Sequence, residues 1–201
     1  MDQQKIILIG GTPTSGKSTM ASMLADHFHI PWISTDQLRE VLRKTCRPED
    51  YPAIFESKDH TAETFLSKYS AEEVAQLEIR ESEETWKAVK ALIDFDYPWV
   101  SGIIEGVGIL PHLVARDFKN DPRIKAVFLV DEDADRIRDT IFTRGLWDDA
   151  KKYSNDVKEK EVAWVSLYSH MIKQEAEEFG YPCVEVSKNK NDLNAVLEAI
   201  R

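Results

Sequence analysis

The chain has 201 residues, 42% of them hydrophobic, enough for one sizeable core and short for two. Its 36 acidic side chains outnumber 26 basic ones, giving a net charge of −10 and a pI near 5.0, which argues against a grip on nucleic acid and favours a small-molecule partner. Cys46 and Cys183 lie far apart in no metal-ligand spacing, no apolar run approaches membrane-span length, and the first strand pattern starts too near Met1 for a targeting segment, so a reduced, cytosolic setting is expected.

Lys5 to Ile9 is a continuous apolar run of the kind that forms a buried parallel strand, and it ends directly at Gly10-Gly11. The residues Gly11-Thr12-Pro13-Thr14-Ser15-Gly16-Lys17-Ser18-Thr19 then contain the pattern G-x-x-x-x-G-K-[ST]. Glycines at those positions let successive backbone N–H groups converge on one point, and the following helix adds its positive end there. A polyphosphate fits such a point. Met20, Leu24 and Phe28 recur at helical spacing with Ala21 and Ala25 beside them, so strand, loop and helix stand in the required order. Lys17 is expected to reach the outer phosphates of a nucleoside triphosphate, and the Ser18 hydroxyl to be a ligand of its Mg²⁺.

Four further strands are expected: Pro31 to Ile33, Val100 to Ile104, Ile124 to Val130, and Cys183 to Val186. Helices are expected from Asp36 to about Lys44, Glu72 to Asp94, Asp133 to about Arg144, about Asp156 to Glu178, and Asn191 to Ile200. In the second of these Val74, Leu77, Trp86, Val89 and Ile93 mark the inward face. Alternation of strand and helix implies an α/β fold with a five-stranded parallel sheet covered on both faces. The stretch from Arg47 to Ser70 carries Pro, aromatics and charge but no strand, and reads as an insertion over the ligand-binding edge of the sheet.

A second substrate needs a place of its own, and Ser34-Thr35-Asp36-Gln37-Leu38-Arg39-Glu40 supplies a candidate. On a helix beginning near Asp36, the residues Asp36, Arg39, Glu40 and Arg43 share one face, with Leu38, Val41 and Leu42 opposite. A carboxylate there can orient a hydroxyl or take its proton, and an arginine one turn away can hold an anion. The same residues also suit a plain helix cap with solvated arginines.

Taken together, the loop GTPTSGKST, the stretch ISTDQLREVLR, the segment IIEGVGILP and a later arginine-bearing helix resemble the small-metabolite kinases of the P-loop class, in the nucleoside-monophosphate-kinase-like fold. The 2-phosphoglycerate kinase-like group is the nearest likeness. The resemblance implies a single P-loop NTPase domain over 1–201, a three-layer sandwich with a helical substrate-binding insertion at about 45–96 and a lid at about 133–155. It also implies transfer of the ATP γ-phosphate to a small acceptor with Mg²⁺. Within YPAIFESKDHTAE, Pro52 and Ser57 follow that group, whereas Lys58 and Asp59 stand where it carries a small hydroxyl and an aromatic.

On this resemblance Glu105, at the end of the third strand, lies near Mg²⁺ and the acceptor, and Gly102, Gly106 and Gly108 allow close backbone approach. Asp131-Glu132, ending an apolar strand, is a second position for the metal-side carboxylate. Arg136, Arg138 and Arg144 are expected over the transferring phosphoryl group, with Lys151 and Lys152 as lesser lid candidates. The loop holding Ser187, Lys188 and Asn189 is expected near the adenine. Trp86, Trp164, Tyr168 and Met171 are assigned to packing, and His60 is the one histidine of interest.

The expected activity is therefore an ATP-dependent kinase of a small, anionic metabolite. Lys17, Asp36 and Arg144 would be its catalytic residues, Arg39, Arg43 and Glu105 its further acceptor contacts, and Ser18 with Glu105 its metal ligands. Two alternatives stay open: a nucleotide-gated regulatory protein with no acceptor, and a kinase of nucleotides, sugars, antibiotics or nucleic-acid ends.

Overall fold

The computed structural model describes residues 5–95, 101–186 and 192–201. Strand β1 (Ile6–Gly11) is buried along its whole length and pairs in parallel with β3 (Gly102–Glu105) on one side and β4 (Ile124–Val130) on the other. The short strands β2 (Trp32–Ser34) and β5 (Cys183–Glu185) complete a sheet in the order β2-β3-β1-β4-β5. The fold is α/β with an all-parallel sheet, as the alternation predicts.

Alternate strand residues serve opposite cores, because side chains on a strand point to the two faces in turn. Ile7, Ile9, Ile103, Val127 and Leu129 pack against Met20, Ala21 and Leu24 of helix α1 (Lys17–Phe28) and Val196 of α9 (Leu193–Ala199). Leu8, Ile104, Phe128 and Val130 face the larger core built by α5 (Ala71–Ile93), α6 (Pro111–Phe118), α7 (Ala134–Arg144) and α8 (Asn155–Phe179). Trp86, Trp164 and Tyr168 are buried in this second core, and Met171 is packed at its margin.

Helix α6 is absent from the sequence expectations. Its signature is Pro111 in the first turn, which suits a residue with no N–H to leave unpaired, followed by Leu113, Val114 and Phe118 inward. The insertion after α2 (Thr35–Thr45) contains two one-turn helices, α3 (Pro52–Glu56) and α4 (Ala62–Leu66). Two local details stand out. Val41, on the face opposite the charged one, is 58% exposed, because α2 docks through Leu38 and its arginines. Gly102 needs no special latitude, since an added Cβ there meets only ordinary contact at 3.5 Å.

Among the described residues no helix is long and apolar enough to cross a membrane. Val100, Ser187, Lys188, Asn189 and Asn191, each part of an expectation above, fall outside the described residues.

Candidate active site

The register of the sheet brings the chemistry to one edge. Glu105 lies opposite Ile9 of β1 and Ser34 of β2, so the ends of three strands meet where the glycine loop begins. A cleft of about 760 Å³ opens there, between α1, α2, α5 and the segment after α7.

The loop between β1 and α1 is shaped by three residues in the left-handed region, Gly11 (φ 131°), Thr14 (φ 70°) and Gly16 (φ 80°). At Gly11 a Cβ would stand 2.0 Å from the Leu129 carbonyl oxygen, so glycine is required. The carbonyl of Thr12 gathers the turn, accepting from the Ser15 hydroxyl at 2.7 Å and from Lys17 Nζ at 2.6 Å. Gly11, Thr12 and Ser15 thus build the cradle from beneath, whereas Pro13, Thr14, Gly16, Lys17, Ser18 and Thr19 line the cleft. The first N–H groups of α1 have no partner within the helix, and the buried hydroxyls of Thr12 and Thr14 have no partner among the described residues. An anion with several oxygens matches that set of donors.

Lys17 is buried, and this removal from water pushes its pKa down to about 8 against the pull of Glu105, Asp36 and Glu78. Ser18 Oγ donates to Glu105 Oε1 at 3.1 Å. Glu105 is only 2% exposed, and burial raises its pKa while Lys17 opposes the rise. Two oxygen donors at a phosphate-binding helix start suit a hard cation that completes its shell with phosphate oxygens and water. Among the described residues no group of three or more His, Cys, Asp or Glu side chains is placed to hold a metal unaided.

Asp131, the second metal-side candidate, is buried at the end of β4 and ion-paired with Arg136, outside the cleft. The same pair accounts for Arg136, which does not reach the phosphate loop. Arg138 stacks on Phe142 and pairs with Glu159 at the surface. Of the three arginines expected over the phosphates, Arg144 alone lines the cleft, and among the described residues it makes no ion pair. Lys151 and Lys152 are exposed.

Helix α2 enters the site through a capping box, with Ser34 Oγ accepting from Asp36 N at 3.2 Å and Gln37 Oε1 accepting from Ser34 N at 3.0 Å. Thr35, buried at its start, meets Gly106, where a Cβ would lie 1.8 Å from Thr35 Oγ1. Arg39 pairs with Asp36 at 3.1 Å and Glu81 at 2.7 Å but keeps a buried Nε with no partner among the described residues. Arg43 is fully committed, donating to the Ile54 carbonyl at 2.5 Å, to Glu40, to Ser57 and to Glu81. It lines the cleft, and these bonds also tie α2 to the insertion.

Glu78 and Glu81 of α5 were missed in the sequence, as were Phe65, Trp147 and Trp164 as cleft-lining side chains. Glu78 is half-buried, and loss of water, then Glu81, pushes its pKa up to about 8. The signal was the register of Val74, Leu77, Glu78 and Glu81, hidden because α5 carries many other glutamates. His60 also lines the cleft.

A parallel sheet in this order, with a glycine loop feeding α1 and a paired hydroxyl and carboxylate beside it, defines the class of P-loop nucleotide-binding proteins. Known relatives agree and are more specific. The chain belongs to the cytidylate kinase-like family, whose sequence model matches residues 6–181. A 2-phosphoglycerate kinase of Methanopyrus kandleri is 32% identical over 69% of the chain, and one of Methanothermobacter thermautotrophicus is 29% identical over 97%. The chain spans only 46% and 65% of the length of these two relatives. Among solved structures, a gluconokinase of Sinorhizobium meliloti superposes with a TM-score of 0.57 at 14% identity, covering 100% of this chain and 91% of that one, a likeness of fold alone.

Proposed function

We propose that this chain is an ATP-dependent kinase that transfers the γ-phosphate to the hydroxyl of a small, anionic metabolite, with a phosphoglycerate-like acid as first candidate. The observation that carries this reading is one cleft holding the phosphate loop and the Ser18–Glu105 pair on one side and the Asp36–Arg39 pair on the other. The relatives named as 2-phosphoglycerate kinases support an acid acceptor.

In this reading Lys17 leaves the Thr12 carbonyl for the β and γ phosphate oxygens, and the loop N–H groups hold the rest of the chain of phosphates. Ser18 and Glu105 would hold Mg²⁺, which when bound would offset charge on the transferring group. Arg39 takes the acceptor's anionic group through its free Nε, and Asp36 orients the acceptor. Arg144 closes over the phosphates and screens their charge in a site shielded from water. We assign 1–201 to one domain, with 45–96 as the acceptor-binding insertion and 133–155 as the lid, working in the cytosol without nucleic acid or membrane.

The test is a coupled assay of ADP release over a panel of phosphorylated acids, sugars, nucleoside monophosphates and aminoglycosides, run beside Lys17→Ala. An acceptor that speeds ADP release only with Lys17 intact names the substrate class. If none does, the kinase assignment falls and a nucleotide-gated regulatory protein takes its place.

A further inference from the structure

Helix α5 lays Val74, Leu77, Glu78 and Glu81 along one wall of the cleft. Glu81 is occupied, giving its oxygens to Arg39, Arg43 and Ser57. Glu78 makes no hydrogen bond or ion pair with any described residue, although it stands among charges. Lys17 of α1, Asp36 and Arg39 of α2, and Glu81 one turn along its own helix all act on it. From α8 it is faced by the buried phenol of Tyr168. Its surroundings therefore include both the lysine of the phosphate loop and the helix that faces the acceptor. Asp36, by contrast, is at the rim, with a 61% exposed side chain already bonded to Arg39.

Building on the kinase reading, we infer that Glu78 is a catalytic residue, the base that takes the proton from the acceptor hydroxyl, and that Asp36 orients the acceptor without carrying that proton. In the step, the O–H bond of the acceptor breaks and its proton passes to the Glu78 carboxylate. The freed oxygen forms a bond to Pγ as the bond from Pγ to the bridging oxygen breaks, and that electron pair leaves with ADP beside Lys17. Glu78 then returns the proton to water.

The environment suits the task. A carboxyl with little water around it, and with Glu81 and Asp36 as like charges, holds a proton more firmly, and the opposing pull of Arg39 and Lys17 leaves it near 8. A base titrating close to the working pH combines availability with driving force.

The experiment uses whichever acceptor the panel identifies and measures kcat/KM against pH at saturating ATP and Mg²⁺ in wild type, E78Q, E78D and D36N. Wild type is expected to gain activity as pH rises through about 8. E78Q should lose that rising limb and about a hundredfold or more in kcat, with KM for ATP kept. E78D should restore the limb, and D36N should keep it while raising KM for the acceptor. An E78Q enzyme that folds and retains both rate and limb overturns the inference, as does a limb lost in D36N and kept in E78Q. Should E78Q fail to fold, an E78D profile identical in shape and position to that of wild type has the same consequence, since a shorter carboxylate must titrate differently. If wild type itself responds to no acceptor, the kinase reading has failed and takes the inference with it, an outcome separate from failure of Glu78 alone.

Discussion

The hydroxyl of Ser18 and the carboxylate of Glu105, 87 positions apart in the chain, meet at 3.1 Å where helix α1 starts and strand β3 ends. The contact follows from the register, because pairing of Ile9 with Glu105 carries β3 no farther than the mouth of the glycine loop. Two oxygens from separate elements thus share one point beside Lys17.

If that point holds Mg²⁺, Glu105→Gln should raise the metal concentration for half-maximal activity by about tenfold or more while leaving the fold intact. A magnesium titration of ADP release, set beside thermal unfolding, checks it. An unchanged metal requirement would move the metal-side carboxylate elsewhere.

On the proposed reading, Lys17 makes ATP binding sensitive to pH. Its ammonium is the form that holds phosphate, and in the free protein burial lets that proton go at about 8 instead of 10.5. Affinity for ATP should therefore weaken as pH rises above about 8, and binding there should take up a proton as the phosphates restore the charge. Calorimetry in buffers of different ionisation enthalpy measures the uptake. Lys17→Met should bind ATP weakly with that component gone.

Glu78 has a stability signature with a defined sign. Folding raises its pKa from 4.5 to about 8, so between those values the folded state binds the extra proton and stability falls as pH rises. Glu78→Gln removes a charge the fold does not welcome. Its melting temperature should exceed that of wild type above pH 8, and the gain should vanish below pH 4.5. Paired thermal scans across that range decide it. A stabilising change at a residue proposed to be needed for rate is the expected mark of a functional site.

Most of the scaffold was legible in the sequence because each element had a local cause. The run Ile124 to Val130, apolar except for Lys125, defines β4 to the residue, and Asp133 caps α7 through Arg136 N. The phosphate loop was legible for the same reason, since its spacing is dictated by backbone geometry. The acceptor side was not. Whether an arginine faces a substrate or a glutamate depends on what packs opposite, and Glu81 lies 42 positions from Arg39. Arg136 likewise fits a lid by sequence, but Asp131, five residues earlier, holds it elsewhere.

Glu81 is the joint between α2 and α5. Its carboxylate receives Arg39 at 2.7 Å, Arg43 at 3.4 Å and the Ser57 hydroxyl at 2.9 Å, and it is about nine-tenths buried. Removing one partner of a buried charge cluster leaves the others uncompensated, so Glu81→Ala should destabilise the protein by about 3 kcal/mol. Urea unfolding gives the figure directly. A loss below about 1 kcal/mol, the range of exposed pairs, would mean that water replaces the carboxylate at no great cost.

The segment after α7 is fastened to the insertion as well as to its own side of the cleft. Asp148 Oδ2 accepts from the N–H of Ala62 at 2.8 Å, and Glu63 accepts from Ser154 N at 2.8 Å and from its hydroxyl at 3.2 Å. Trp147 packs on Phe65 with ring centroids 4.7 Å apart. On the other side the buried Glu161 accepts from Tyr153 and from Trp147 N. With α4 bound to the segment that carries Trp147, a movement of either over the cleft draws the other along. On the proposed kinase reading, closure on the acceptor and closure over the phosphates should then be one event, which would keep water from the phosphate until an acceptor is in place. Asp148→Ala combined with Glu63→Ala removes contacts worth about 1 kcal/mol each, enough to loosen closure by roughly tenfold or more. The ratio of acceptor-free ATP hydrolysis to kinase turnover should rise by a similar factor, with KM for the acceptor increasing in parallel. A double variant with an unchanged ratio would mean that the two segments close independently, and that the contacts between them serve stability alone.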